Sequence, residues 1–364
     1  MNDAFLDKRR DLALCALCPG YCAASCPVLD ATGNSALSPG AKIALLQEIV
    51  VGHRRLDESA ARVLFACTGC GRCAEVCPSR VDVPELLRRA RAVCAEEGES
   101  PSGVERLRTR MAQTGNPFGA DLSVLSRALS DDGEGRVYFP GCTALAREQD
   151  FVRGAIDAAA GFNLRLTLTE MSASCCGYPL FAAGLVSEFT EHARAFARRV
   201  DHLSEFVVGD PGCMVAFTRL YRKVGVELRA RPVFILKLLE DRLDHAFGRA
   251  PLSLRLTYHE ACKLRCELDC RDAPRRLLRA AVGDFRDSTP ETSACSGGGG
   301  LISWTHPDIA ADLVALQRSL LDGKSQGIVT ACPSALHRFH SAGLKAVDLY
   351  SVLARWIAFR DGDL

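Results

Sequence analysis

The chain has 364 residues, long enough for two or three domains, and 48% of them are apolar, enough for a proper core. A formal net charge of +1 gives no electrostatic reason to expect nucleic acid or anionic lipid as a partner. Eighteen cysteines are the informative count: a short secreted chain would place them in disulfides, but this one is long and its first residues, MNDAFLDKRRDLALC, hold no apolar signal core. No run approaches the roughly 18 apolar residues of a membrane span. The cysteines are therefore expected to be thiolates kept for metal in a reducing, cytoplasmic compartment. Peripheral attachment to the inner face of a membrane, through another subunit, stays open.

The first motif is Cys15, Cys18, Cys22 and Cys26-Pro27, spaced C-x2-C-x3-C-x3-C-P. A helical stretch follows, with Ser38 as cap, Pro39 in the first turn, and apolar residues at helical spacing from Ala41 to Val51. Then come Cys67, Cys70, Cys73 and Cys77-Pro78, spaced C-x2-C-x2-C-x3-C-P, the run of bacterial ferredoxins. Close spacing lets one loop give three thiolates to one cube. The fourth cysteine lies too far along and reaches the neighbouring cluster. The expected sets are Cys15, Cys18, Cys22 with Cys77, and Cys67, Cys70, Cys73 with Cys26, each holding one [4Fe–4S] cluster. Gly69 and Gly71 let the backbone curl around sulfide and offer N–H donors to it. Beyond, Asp82 is predicted to cap a helix with Pro84 near its start, running to about Glu97, and Cys94 inside it reads as a small buried residue. Residues 1–112 are thus expected to form a helical ferredoxin domain.

From Gln113 to Gly135 the periodicity is lost, and a linker with a short helix and a turn at Asp131 to Gly135 is expected. An internal repeat follows, over 136–250 and 251–364. The first copy has a strand at Arg136–Phe139, then Cys142, Cys175-Cys176-Gly177 and Cys213. The second has a strand at Leu254–Tyr258, then Cys262, Cys295-Ser296-Gly297 and Cys332. The first interval is 32 residues in both copies, and the last differs by one. Short β-rich runs also precede Cys213 (Phe206-Val-Val-Gly) and Cys332 (Gly327-Ile-Val-Thr-Ala). Helices are expected at Leu185–Leu203 and Asp308–Leu321. Strands alternating with helices imply parallel sheets with sites beyond the carboxyl ends of the strands, so the distant cysteines of each copy should converge there. The expected class is α+β overall, a helical di-cluster ferredoxin followed by two repeated α/β subdomains with parallel sheets. Cys262, Cys266 and Cys270 would share one helix face if that helix starts early.

These residues resemble the cysteine-rich CCG family. It includes heterodisulfide reductase subunits and the iron–sulfur subunits of glycolate, glycerol-3-phosphate and lactate oxidation systems. The combination of two ferredoxin runs and two CCG repeats looks most like the glycolate oxidase iron–sulfur subunit and the D-type subunit of heterodisulfide reductase. Ser38-Pro39-Gly40-Ala-Lys-Ile, Cys77-Pro-Ser-Arg-Val, Cys-Cys-Gly-Tyr-Pro-Leu at 175–180 and Tyr258-His259-Glu-Ala-Cys262 fit that layout. The family motif has five cysteines: one, a CC pair, and C-x-x-C. The first copy keeps Cys142, Cys175, Cys176 and Cys213, with Asp210 at the remaining place, open between an oxygen ligand and a helix cap. The second keeps Cys262, Cys295 and Cys332, with Ser296 and Ala335 where thiolates belong and Lys263 where the family has histidine. Paired non-cubane clusters should therefore not form in both copies. A cluster is implied in the first copy. In the second, a [3Fe–4S] centre, a [4Fe–4S] centre with one iron open to His259, water or a substrate, a fourth ligand from Cys266 or Cys270, and no cluster at all stay open. The glycine run after Cys295 implies close backbone approach to the cluster site.

The function implied is that of an iron–sulfur electron-transfer subunit. It would relay electrons from a flavoprotein dehydrogenase subunit, which oxidises a small organic substrate, to a membrane quinone-reducing subunit or an electron carrier. The alternative is a reductase acting on a disulfide or another small acceptor at an open iron of the CCG region.

Overall fold

The structure, a computed structural model, describes residues 3–130, 133–246, 248–287, 295–321 and 325–358. The chain forms two compact units, each assembled from separate segments. Met1–Thr109, Pro179–Phe189 and Ala294–Gln317 make the first; Arg110–Tyr178, Thr190–Ser293 and Arg318–Leu364 make the second.

The first unit is helical, as the sequence predicts. Pro39–Val50 begins where Ser38 Oγ accepts from the Ala41 amide at 3.2 Å, with proline in the first turn, and it buries Ile43, Leu46, Ile49 and Val50. Val83–Glu96 begins at Asp82, whose carboxylate accepts from the Glu85 amide at 3.1 Å. Each such cap is worth about 1 kcal/mol. Cys94 lies on the buried face of the second helix, and burial pushes its thiol up to about 12.

The expected 113–135 linker begins inside the helix Ser102–Thr114. Asn116 then organises the turn. Its buried amide donates to Thr114 O and Ala120 O and accepts from the Phe118 amide. The short helix is Leu122–Arg127, capped by Asp121. Of the turn expected at Asp131 to Gly135, Asp131 and Asp132 lie outside the described residues.

The second unit carries two four-stranded parallel sheets. One has β1 (Arg136–Phe139), β2 (Leu166–Thr167), β3 (Glu205–Val208) and β4 (Arg231–Phe234) in the order β2-β1-β3-β4. The other has β5 (Leu256–His259), β6 (Arg286–Asp287), β7 (Gly327–Thr330) and β8 (Ala346–Asp348) in the order β6-β5-β7-β8. The same order twice is the structural form of the sequence repeat. Strands β5 and β7 are buried throughout, as parallel strands covered on both faces are. The second-copy strand lies at 256–259 where 254–258 was expected. The predicted helices appear as Val186–Val200 and Pro307–Gln317, the latter followed by a 3₁₀ turn at Arg318–Leu320. An aromatic group of Phe139, Phe196, Phe206, Phe217 and Tyr221 packs the first sheet, with Phe196 stacked on Phe217 at 4.7 Å. Among the described residues no helix is long and apolar enough to cross a membrane.

Within the second unit the two copies meet along Gln149–Gly161 and Leu349–Ala358. Phe151 and Tyr350 stack edge to face at 5.0 Å. Gly154 makes the approach possible: a Cβ there would fall 2.5 Å from Ser351 Oγ and 2.7 Å from its amide nitrogen. Gly154→Val is expected to lower stability by about 1–3 kcal/mol through overpacking. Denaturant unfolding checks this, and an unchanged midpoint would show that the helices do not meet so closely.

Candidate metal centres

None of the eighteen cysteines is joined in a disulfide. The eight ferredoxin cysteines fall in the first unit, in two groups. Cys15 ends the helix Arg9–Ala16, and Cys18 and Cys22 follow in the next turns. Burial, then Cys22, Cys18 and Cys77, push the Cys15 thiol up to about 12. The Cys22 thiol is raised by burial first, with Cys77 and Cys18 adding to it. These four therefore share one neighbourhood. Cys26, Cys67, Cys70 and Cys73 line a single cavity. Burial raises the thiols of Cys26, Cys70 and Cys73, and repulsion within the set adds to each. The structure thus brings each fourth cysteine to the other run's triplet.

These sites fit an iron–sulfur cluster. Each offers four soft sulfur donors, buried or half-buried, where a lone thiolate is disfavoured and a cationic core relieves the repulsion. Backbone amides point at sulfur: Gly20 at Cys18 (3.5 Å), Gly69 at Cys67 (3.4 Å) and Val81 at Cys77 (3.4 Å). Gly69 and Gly71 hold positive φ of 62° and 86°, which a residue with a Cβ rarely adopts. Among the described residues no three His, Cys, Asp or Glu side chains close on one point as around a single metal ion. A cubane takes one thiolate per iron, so its ligands surround a body rather than a point.

Sequence reasoning missed the residue that holds the second loop. Arg91 is buried, and its guanidinium donates to Phe65 O (3.2 Å), Cys67 O (2.8 Å), Ala182 O (2.9 Å) and Gly300 O (3.0 Å). The glycine run after Cys295 rests on the same loop: a Cβ at Gly300 would fall 2.4 Å from Cys67 O, and one at Gly299 2.8 Å from Thr68 O. The close backbone approach implied for these glycines is made to the ferredoxin loop. Cys295 itself packs in a buried group with Cys26, Val28, Ala66 and Ile302.

In the second unit the first copy gathers Cys142, Cys175, Cys176 and Cys213. Cys142 and Cys175 Sγ are 3.5 Å apart, and a Cβ at Gly141 would fall 3.2 Å from Cys213 Sγ. A hydrogen bond from Cys142 pulls the Cys175 thiol down, and the Cys142 and Cys176 thiols are pushed up. The Cys213 thiol sits at about 12, with a hydrogen bond from Cys176 opposing its burial. Asp210 acts as a cap, accepting from the Gly212 and Cys213 amides at 2.6 and 3.3 Å, and burial pushes its carboxyl up to about 6. Tyr221 Oη donates to Cys176 O at 3.1 Å, and His192 Nε2 lies 2.7 Å from Cys175 O. No motif in the sequence marks either residue.

The second copy is less complete. Cys262 and Cys332 lie in the second unit within electrostatic reach of each other, and burial, then Asp210, raise the Cys332 thiol. Cys295 belongs to the first unit. The shared helix face of Cys262, Cys266 and Cys270 does not form. The helix stops at Cys266, Asp269 turns the chain with φ of 48°, and Cys270 lines a separate cavity with Met214 and Glu240. His259 is a packed core residue, with Nδ1 3.2 Å from Thr330 Oγ1 and its ring 5.0 Å from Phe339. Lys263, at the family's histidine position, pairs with Glu267 and lies 5.2 Å from the Tyr178 ring.

Comparison with known proteins agrees with this geometry. The 4Fe-4S dicluster domain matches residues 11–81, and the CCG cysteine-rich domain matches twice, over 136–218 and 256–339. The chain belongs to the CCG-domain iron–sulfur proteins. It is similar to one of the subunits of the CoM/CoB fumarate reductase of Methanothermobacter marburgensis, 26% identical over 74% of this chain and 55% of that protein. It thus spans only about half the length of that relative. It is also similar to one of the subunits of the dihydromethanophenazine:CoB–CoM heterodisulfide reductase of Methanosarcina acetivorans, 26% identical over 89% of this chain and 87% of that one. A third relative is the EtfAB:quinone oxidoreductase of Syntrophomonas wolfei, 24% identical over 80% of this chain and 45% of that one.

Arg91→Met would leave four carbonyls in the interior without this donor. The expected loss is about 3 kcal/mol or more, with faster iron release from the first unit. Anaerobic denaturation and chelator-challenge rates check it. Equal rates for variant and wild type would show that Arg91 does not hold the cysteine loop.

Proposed function

We propose that the chain is the iron–sulfur electron-transfer subunit of a dehydrogenase complex. In this reading a flavoprotein subunit oxidises a small organic substrate, and a membrane quinone-reducing subunit or an electron carrier accepts the electrons. The observation that carries the reading is the pair of four-thiol sets in the first unit. Each is assigned one [4Fe–4S] cluster, a centre that passes electrons singly. Cys142, Cys175, Cys176 and Cys213 are assigned a further centre. The second copy lacks thiolates at Ser296 and Ala335, so any centre it holds would be the labile one. The chain supplies thiolates, excludes water and aims amides at sulfur, which tunes potential. The relatives' names, two reductase subunits and a quinone oxidoreductase, support a place in an electron-transfer assembly. The chain is assigned to the cytoplasm, at the inner face of the membrane if the acceptor is a quinone.

A surface feature supports a partner at the first cysteine set. Leu14, Leu17, Tyr21 and Val76 are all exposed, Leu17 by 87% and Tyr21 by 70%. Each immediately precedes one of Cys15, Cys18, Cys22 and Cys77. Large apolar side chains left in water around a redox centre suit a protein partner that covers them.

A second reading keeps the chain as a reductase in its own right, acting on a disulfide or another small acceptor at an open iron of the CCG region. The thiolate positions filled by Ser296 and Ala335 favour it. Rapid anaerobic mixing separates the two. Substrate alone is expected to leave the clusters oxidised, and substrate plus the cognate flavoprotein to bleach them. Leu17→Asp should slow that bleaching without altering the cluster spectrum. Bleaching by substrate without flavoprotein would overturn the subunit reading in favour of the second.

A further inference from the structure

Lys42 is a cation in an unfavourable place. It is 1% exposed, and it sits in the first turns of the helix Pro39–Val50, whose amino end already carries the positive pole of the helix dipole. Its ammonium donates to one carbonyl, Leu37 O, at 2.6 Å. Among the described residues no carboxylate pairs with it. A buried charge without a counter-charge is unfavourable, so something negative must face it. Lys42 lines the cavity ringed by Cys26, Cys67, Cys70 and Cys73. It also opposes the burial that disfavours the Cys26 thiolate. In the other set, the Cys15 and Cys22 thiols are raised by burial and by neighbouring cysteines.

A cubane with four thiolates is negative overall, and reduction adds one more negative charge to it. A buried ammonium beside it favours the reduced form, because Coulomb energies are large in a low dielectric. We propose that Lys42 is a positioning charge that holds the reduction potential of the cluster on Cys26, Cys67, Cys70 and Cys73 above that of the cluster on Cys15, Cys18, Cys22 and Cys77. An electron entering the pair then settles on the Lys42 side. The step is a one-electron reduction of the core from 2+ to 1+, with the flavoprotein partner as donor in the complex and dithionite in the assay. The inference rests on the assignment of one cluster to each set.

The test uses the full chain, prepared anaerobically, as wild type, Lys42→Gln, Lys42→Met and Lys42→Arg. Iron and acid-labile sulfide are measured first, and dithionite titration is then followed by electron paramagnetic resonance. Wild type should show two separated couples, with Cys26→Ser altering the signal of the higher one. Lys42→Gln and Lys42→Met should weaken reduction of that couple about tenfold, about 59 mV for one electron, and leave the lower couple in place. Lys42→Arg should keep the wild-type value. Loss of one cluster in Gln and Met but not in Arg would also support the charge. The proposal is overturned if the higher couple does not move, if the lower couple moves with it, if Arg behaves like Gln, or if all three variants lose the cluster. Wild type without iron and sulfide would overturn the cluster assignment itself, and the proposal with it.

Discussion

Arg91 donates from one guanidinium to carbonyls on segments that lie far apart in the sequence. Phe65 and Cys67 belong to the second ferredoxin run, Ala182 to the segment after the first CCG loop, and Gly300 to the glycine run of the second. The first unit is built from these segments, and their peptide oxygens have no ladder to join where they meet. A planar fork with several fixed donors satisfies them together, and a lysine could not. Cys67 is thereby fixed at the point where its loop must present three thiolates in one geometry. Gly299 and Gly300 lack the Cβ that would fall against Thr68 O and Cys67 O, so the glycine run can rest on that loop.

The electrostatics of the cysteine sets follow from burial. Nearly every perturbed thiol in these pockets is pushed up, because a thiolate loses water and meets other sulfurs. Binding a cationic iron–sulfur core removes that penalty, so cluster assembly and stability of the fold are linked. The two CCG copies differ in this respect. The first gathers four thiols beside its sheet, with Asp210 used as a cap. The second has replaced two of its thiolates, and its histidine at 259 is part of the packed core.

Local chemistry was readable before the structure. Ser38-Pro39 and Asp82 start helices where capping rules place them, and the strand before Cys142 is residue-exact. The repeat spacing in the sequence appears as one strand order used twice. What could not be read was non-local. Arg91 stands in Leu-Leu-Arg-Arg-Ala-Arg-Ala, where nothing distinguishes the one buried arginine from its neighbours. Lys42 sits on a helix face whose partner is a cavity lined by both cysteine runs and by the start of the helix Val83–Glu96. Helical periodicity carried the Cys262 helix too far, because a left-handed turn at Asp269 is a backbone choice that aspartate permits without announcing.

The central claim is that the two runs exchange their fourth cysteines. Electron paramagnetic resonance of anaerobically reduced Cys26→Ser and Cys77→Ser tests it most directly, against variants of the triplet cysteines. Cys26→Ser should alter the same signal as Cys70→Ser, and Cys77→Ser the same signal as Cys18→Ser. If Cys26→Ser instead alters the signal changed by Cys18→Ser, and Cys77→Ser the one changed by Cys70→Ser, each run closes its own cluster and the account is contradicted.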